Sequence, residues 1–158
     1  MTEQEMRLHR CCFTGHRPEK LFLVDEEIIK ELEREIKAAI EKGYTTFISG
    51  MARGVDIWAA EIVLKLRKKN KELHLICASP YEGFETRWSQ DWQKRYKKII
   101  KKADYVKYVS PEYSPACFQI RNEYIPTCIN SSSMGGLMLK LNRIWTASLT
   151  IIKPDLSC

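Results

Sequence analysis

The first fifty residues alternate in a way that few architectures accommodate. A short apolar stretch, Leu8 to Phe13, stops at Thr14-Gly15. After Asp25, Ile28, Leu32, Ile36 and Ile40 recur every four residues, and Ile29 and Ala39 widen the stripe. A second short apolar run, Tyr44 to Ser49, ends in Gly50. The four-residue spacing is that of an amphipathic helix with one buried face. The short runs bounded by glycine read as buried strands. Strand, helix, strand with this spacing is a βαβ unit, which implies a parallel sheet. Asp25 fits the helix N-cap and Gly43 its C-terminal stop.

The alternation continues. Val55, Ala59, Ile62, Val63 and Leu66 give a second amphipathic helix. Leu73 to Ala78 is a third strand, Ser89 to Lys102 a third helix and Tyr105 to Val109 a fourth strand. Pro115 to Tyr124 reads as a short helix with proline in its first turn, and Leu149 to Lys153 as a last strand. The 158 residues suit one domain. The expected architecture is α/β, a Rossmann-like doubly wound domain with a mostly parallel sheet. Ligands of such folds bind at the carboxyl ends of the strands.

Composition excludes several classes. No apolar run approaches the roughly 20 residues that span a bilayer, and residues 1–10 carry no apolar signal region. A cytoplasmic protein without membrane contact is expected. The six cysteines, Cys11, Cys12, Cys77, Cys117, Cys128 and Cys158, show no zinc spacing. Buried, reduced thiols are expected, and no metal site. The net charge is +6, and residues 94–102 hold six basic side chains. Such a run is usually a solvated helix face, and less often a contact for a polyanion.

The residues that carry chemistry fall after the strands. The first strand leads into Thr14-Gly15-His16-Arg17-Pro18, the second into Ser49-Gly50-Met51-Ala52-Arg53-Gly54-Val55-Asp56, and the third into Ser79-Pro80-Tyr81-Glu82-Gly83. Two glycines four apart join the second strand to a helix whose free N–H groups point at the loop, an arrangement that holds phosphate. Arg53 adds a bidentate donor. No Gly-Lys-Ser/Thr follows, so this is not a Walker loop, and it is not G-x-G-x-x-G. A tight turn with no ligand is the alternative. His16 suits acid–base work and Arg17 a phosphate, or His16 bonds backbone and Arg17 lies on the surface. Asp56 suits a ribose hydroxyl or a helix cap. Glu61 suits the same hydroxyl or a pairing with Arg17 or Arg53. Trp58, Tyr81 and Trp88 either stack on a base or pack in the core. No nucleophile elbow and no Ser-His-Asp series is present.

Thr14-Gly15-His16-Arg17-Pro18, the stretch from Ser49 to Glu61, Pro80-Tyr81-Glu82-Gly83 with Arg87-Trp88, and Arg121-Asn122 resemble, in this order, the YpsA-like family. That family belongs to the SLOG superfamily, whose Rossmann-like relatives include DprA and the LOG, or lysine decarboxylase-like, proteins. The likeness runs from about Arg10 to Tyr124. It implies a pocket for a nucleotide or nucleotide derivative of NAD or ADP-ribose type, and for the YpsA branch a link to bacterial cell division. It implies ligand-binding roles for Gly15, His16, Arg17, Gly50, Arg53, Gly54, Asp56, Trp58, Glu61, Pro80, Tyr81, Arg121 and Asn122. The Pro-Gly-Gly-x-Gly-Thr motif of LOG phosphoribohydrolases is absent, so their activity is not carried over.

After Tyr124 the likeness lapses. Ile125 to Ser133 shows no apolar strand, and Leu137 stands where the family pattern has threonine after Gly135-Gly136. Residues 125–148 are thus either diverged or translated out of frame, which the gene sequence decides. A missing central strand would leave sheet edges unpaired. Three functional readings follow. The first is a module that senses a nucleotide-derived ligand. The second is a hydrolase cleaving an N-glycosidic or phosphoanhydride bond, with His16, Asp56 or Glu61 as acid or base. The third is a DprA-like binder of single-stranded nucleic acid through Lys94 to Lys102 and the interleaved Tyr96. Relatives with open sheets often dimerise, so a homo-oligomer is one option for this chain.

Overall fold

The computed structural model describes residues 2, 5–6, 8–14, 24–128, 137–141 and 149–152. Strands β1 (Arg10–Thr14), β2 (Thr46–Ser49), β3 (His74–Ser79), β4 (Tyr105–Tyr108), β5 (Leu137–Leu141) and β6 (Leu149–Ile152) form one sheet in the order β4-β3-β2-β1-β5-β6. The helices are α1 (Asp25–Glu41), α2 (Val55–Arg67), α3 (Gln90–Lys102) and α4 (Cys117–Cys128), with a short 3₁₀ turn at Phe84–Arg87. Neighbouring strands from β4 to β5 run parallel, and β6 is antiparallel to β5. The domain is the Rossmann-like α/β architecture that the alternation predicts.

The pleat sorts the core. Cys11, Phe13, Phe47, Leu75 and Cys77 share a cluster with Ile28, Leu32 and Ile36 of α1, Trp58 and Ile62 of α2, and Tyr96 and Ile99 of α3. The alternate residues Cys12, Ile48 and Ala78 meet Ile125 of α4. So α1, α2 and α3 cover one face and α4 the other. This is what successive right-handed crossovers in one direction, followed by a reversal, produce. Cys11, Cys12, Cys77 and Cys117 are buried and serve as small hydrophobes.

Two expectations are corrected. Asp25 is the first helical residue of α1, and the N-cap is Val24. The acidic Asp25, Glu26 and Glu27 instead sit in the first turn, where the helix dipole favours them. The second edge of β1 is not left unpaired: Cys11 faces Leu137 and Phe13 faces Leu139 in parallel register. This strand follows Gly135-Gly136, whereas the family pattern has one before it, and Ile125 to Cys128, part of the stretch that shows no apolar strand, extends α4.

Candidate functional site

The carboxyl end of β2 is shaped by two glycines and one serine. Ser49 Oγ accepts the Met51 N–H at 3.2 Å and donates to the Asp56 carbonyl at 2.9 Å, tying the loop to the first turn of α2. Gly54, the N-cap of α2, has φ 91° and ψ −125°. That region is closed to side chains with a Cβ. No side chain caps the helix there, and its first carbonyl bond is Trp58 N–H to Gly54 O at 3.0 Å. Gly50 is required for a different reason. A Cβ on it would lie 2.8 Å from Asp56 Oδ2, 3.0 Å from Ile125 Cδ1 and 3.6 Å from Arg121 Cδ. Side chains from two helices therefore converge on a bare strand-end backbone.

Arg121 crosses from α4 to this point. Its Nη1 donates to the Gly50 carbonyl at 3.1 Å, while Nε and Nη2 donate to Asn122 Oδ1 at 3.2 and 2.9 Å. Gly50, Asp56, Arg121 and Asn122, spread over the motifs of the sequence, are thus brought together. Asp56 is 8% exposed. Its Oδ2 accepts the Ala52 N–H at 3.3 Å. Burial raises its carboxyl to about 6, against the opposing pull of the Arg121 guanidinium and the Ala52 N–H. Arg53 is half-buried in the same loop.

The other predicted residues divide. Trp58 is 2% exposed, with its ring 6.1 Å from that of Trp92, so it packs in the core. Glu61 is paired with neither Arg53 nor any other loop residue described: Arg95 binds both its oxygens, at 2.8 and 2.9 Å, while lying over the Trp92 ring. Pro80 is buried and Tyr81 half-buried, with edge contacts from Tyr81 to Phe84 and Tyr113. Tyr96, read as an aromatic among the basic residues, points inward: it is 3% exposed and shares a 2.7 Å hydrogen bond with Ser79. Gly15, His16 and Arg17 lie outside the described residues.

Sequence reasoning missed two groups. Glu85, in the 3₁₀ turn after β3, and Ser110, just after β4, are both buried. Ser110 is fixed by its N–H to the Pro80 carbonyl at 2.9 Å, beside the Val109 N–H to Ser79 carbonyl bond of 3.0 Å. Among the described residues, three buried side-chain atoms have no hydrogen-bond partner: Asp56 Oδ1, Glu85 Oε2 and Ser110 Oγ. They follow β2, β3 and β4 respectively, all at the carboxyl edge of the sheet. No spacing in the sequence singles out Glu85 or Ser110. Only the topology aligns them.

With this geometry in place, comparison with known proteins gives a consistent result. The family model described as the YspA SLOG family (YpsA) matches residues 11–133. The chain is 34% identical over 100 residues to the UPF0398 protein of Halalkalibacterium halodurans, covering 62% of this chain and 53% of that one. It is 32% identical over 119 residues to a UPF0398 protein of Bacillus pumilus, covering 70% and 64%. It is 32% identical over 105 residues to one of Brevibacillus brevis, covering 63% and 56%. The chain thus spans between 53% and 64% of the length of these relatives.

Proposed function

The chain belongs to the YspA SLOG family, and from that premise we propose that its carboxyl edge binds a nucleotide-derived ligand of ADP-ribose or NAD type. The observation that carries this reading is that Asp56 Oδ1, Glu85 Oε2 and Ser110 Oγ are buried and unpartnered, each in the chain that leaves the carboxyl end of a neighbouring strand. Native folds leave few buried polar atoms unpaired, because each costs about 1–3 kcal/mol. Three of them, one after each of β2, β3 and β4, fit a polar molecule that supplies the missing partners. The uncapped start of α2, with Gly54 and Arg53, takes the phosphates. Asp56 accepts a ribose hydroxyl. Glu85 and Ser110 present an acceptor and a donor, which match the amine and ring nitrogen of adenine. The module reports occupancy to a partner, in keeping with the cell-division link that the resemblance implies.

A second reading is favoured by one feature. A buried carboxyl raised to about 6 is suited to proton transfer near neutrality. In the hydrolase reading Asp56 is the acid or base, and Glu61 is held by Arg95. A thermal-shift screen with ADP-ribose, NAD, AMP and adenine tests whether the edge binds at all. A ligand of the native state raises Tm once its concentration passes its Kd. The binding reading expects a rise with ADP-ribose that is lost in Asp56→Ala and Gly54→Val. Chromatography of the same mixture then shows intact ligand for a sensor and products for a hydrolase. A cooperative melt that no nucleotide moves refutes both.

A further inference from the structure

The opposite end of the sheet carries a separate feature. Between α2 and α3 runs a groove with a cavity of about 220 Å³, lined by Leu64 and Ile99, by Lys65, Lys68, Lys98 and Lys102, and by one acid, Glu61. It continues into a hollow of about 460 Å³ that shares Leu64, Lys68 and Lys102 and adds Leu73, Arg67, Lys71, His74 and Asp104. Here α2 and α3 end, at Arg67 and Lys102, and β3 and β4 begin. The groove is therefore on the amino-end side of the parallel strands, away from Gly50 and Asp56.

The local charges do not balance. Glu61 is engaged by Arg95, and Asp104 by Arg67 at 2.7 Å with His74 at 3.5 Å. Lys65 meets Glu33 at 3.1 Å. Lys68, Lys71, Lys98 and Lys102 have no acidic partner among the described residues, and all four are exposed. Cations in the last turn of a helix offset its dipole, which accounts for Lys65, Arg67, Lys101 and Lys102. Lys68 is the C-cap of α2, but the dipole does not account for Lys71 or Lys98, which lie outside those helix ends.

We propose that this groove binds the phosphate backbone of a nucleic acid. Lys98 and Lys102 stand one helical turn apart, about 6 Å along the axis, and line the same groove as Lys68. Four ammonium groups without a carboxylate partner within so short a span call for a partner of dense, regular negative charge. A duplex carries one charge per ~1.7 Å of its axis. The groove lining holds no aromatic ring, and Tyr96 of α3 is turned into the core. Base stacking of the single-strand kind is thus absent from this surface. The contact is to backbone and is independent of sequence.

Fluorescence anisotropy with a labelled 20-base-pair DNA duplex, an RNA duplex and a single strand tests this. With four phosphates neutralised, log Kobs falls against log salt with a slope of about −3.6 for the DNA duplex. Lys68→Glu/Lys98→Glu raises Kd at least tenfold at low salt, and Lys98→Ala alone makes the slope shallower by about 0.9. Circular dichroism melts of both variants match the wild type, since the side chains are exposed. The ADP-ribose thermal shift is unchanged in both, which separates this site from the carboxyl-edge pocket. Tighter binding of either duplex than of the single strand supports the proposal. A slope shallower than −1, unaltered binding by the Lys68→Glu/Lys98→Glu variant, or equal competition by polyglutamate of matched charge overturns it.

Discussion

Replacing Asp56 by asparagine isolates the cost of one buried carboxylate. Asp56 titrates at 3.8 when unperturbed and at about 6 in the fold, with burial as the main cause and Arg121 opposing it. The folded chain therefore holds this proton more tightly than the unfolded chain. The stabilisation is complete below pH 3.8, falls as pH rises, and is gone above about 6. The full gap corresponds to about 3 kcal/mol. By linkage, about 1 kcal/mol is already lost at pH 4.5 and about 3 at pH 7.5. The amide of the Asp56→Asn variant does not titrate in either state. Urea unfolding of both proteins should thus show the stability difference, variant minus wild type, rising by about 2 kcal/mol between pH 4.5 and 7.5. Other groups titrate equally in both proteins and cancel. Asp104, for example, feels burial that raises its carboxyl, outweighed by the Leu75 N–H, His74 and Arg67, which hold it below its usual value. Parallel pH profiles for the two proteins would refute the reasoning, because Asp56 would then be ionised in the fold at no cost.

Three other substitutions test the surrounding geometry. Gly50→Ala forces its Cβ against Asp56 Oδ2 and Ile125 and should cost about 1–3 kcal/mol in urea unfolding. In an Asp56→Ala background the same change should cost measurably less, since the nearest contact is gone. Tyr96→Phe strands the buried Ser79 hydroxyl and should lower stability by about 1–2 kcal/mol, read as a lower Tm. Glu61→Gln breaks a pair whose side chains are 31% and 33% exposed, so its cost should stay below ~1 kcal/mol. The thermal shift by ADP-ribose should persist in Glu61→Gln, and its disappearance would return Glu61 to the site.

The fold is legible where hydrophobic period and glycine agree. The stripe of Ile28, Leu32 and Ile36 is the buried face of α1, and Gly50 does close β2. Apolar character begins up to two residues before pairing does, as at Tyr44 against Thr46, because half-buried residues lead into the strand. The segment after Tyr124 misleads because the family pattern puts its strand before Gly135-Gly136, whereas β5 lies at Leu137–Leu141. At the site, loop chemistry is visible in Gly50, Gly54 and Asp56. Whether Trp58 stacks or packs is not, since one indole serves both and only its neighbours decide. Glu85 and Ser110 carry no signal, because their significance lies in burial and in the adjacency of β3 and β4. Arg121 comes through the resemblance alone. Its partner, the Gly50 carbonyl, is a backbone atom that no sequence pattern displays.

The pairing of β1 with β5 sets an order on folding. Cys11 and Leu137 are 137 − 11 = 126 residues apart, whereas β2 meets β3 within one βαβ unit. At roughly 5–20 residues per second of synthesis, β1 waits about 6–25 s for its second neighbour. During that interval its inner edge is open while β2, α2 and β3 are already able to assemble. A chain released early, or cut before residue 137, would therefore present an apolar strand edge bearing Cys11, Cys12 and Phe13, the kind of edge that recruits chaperones or other chains. Long-range closure of this sort slows the final step of folding more than it lowers the stability of the finished domain.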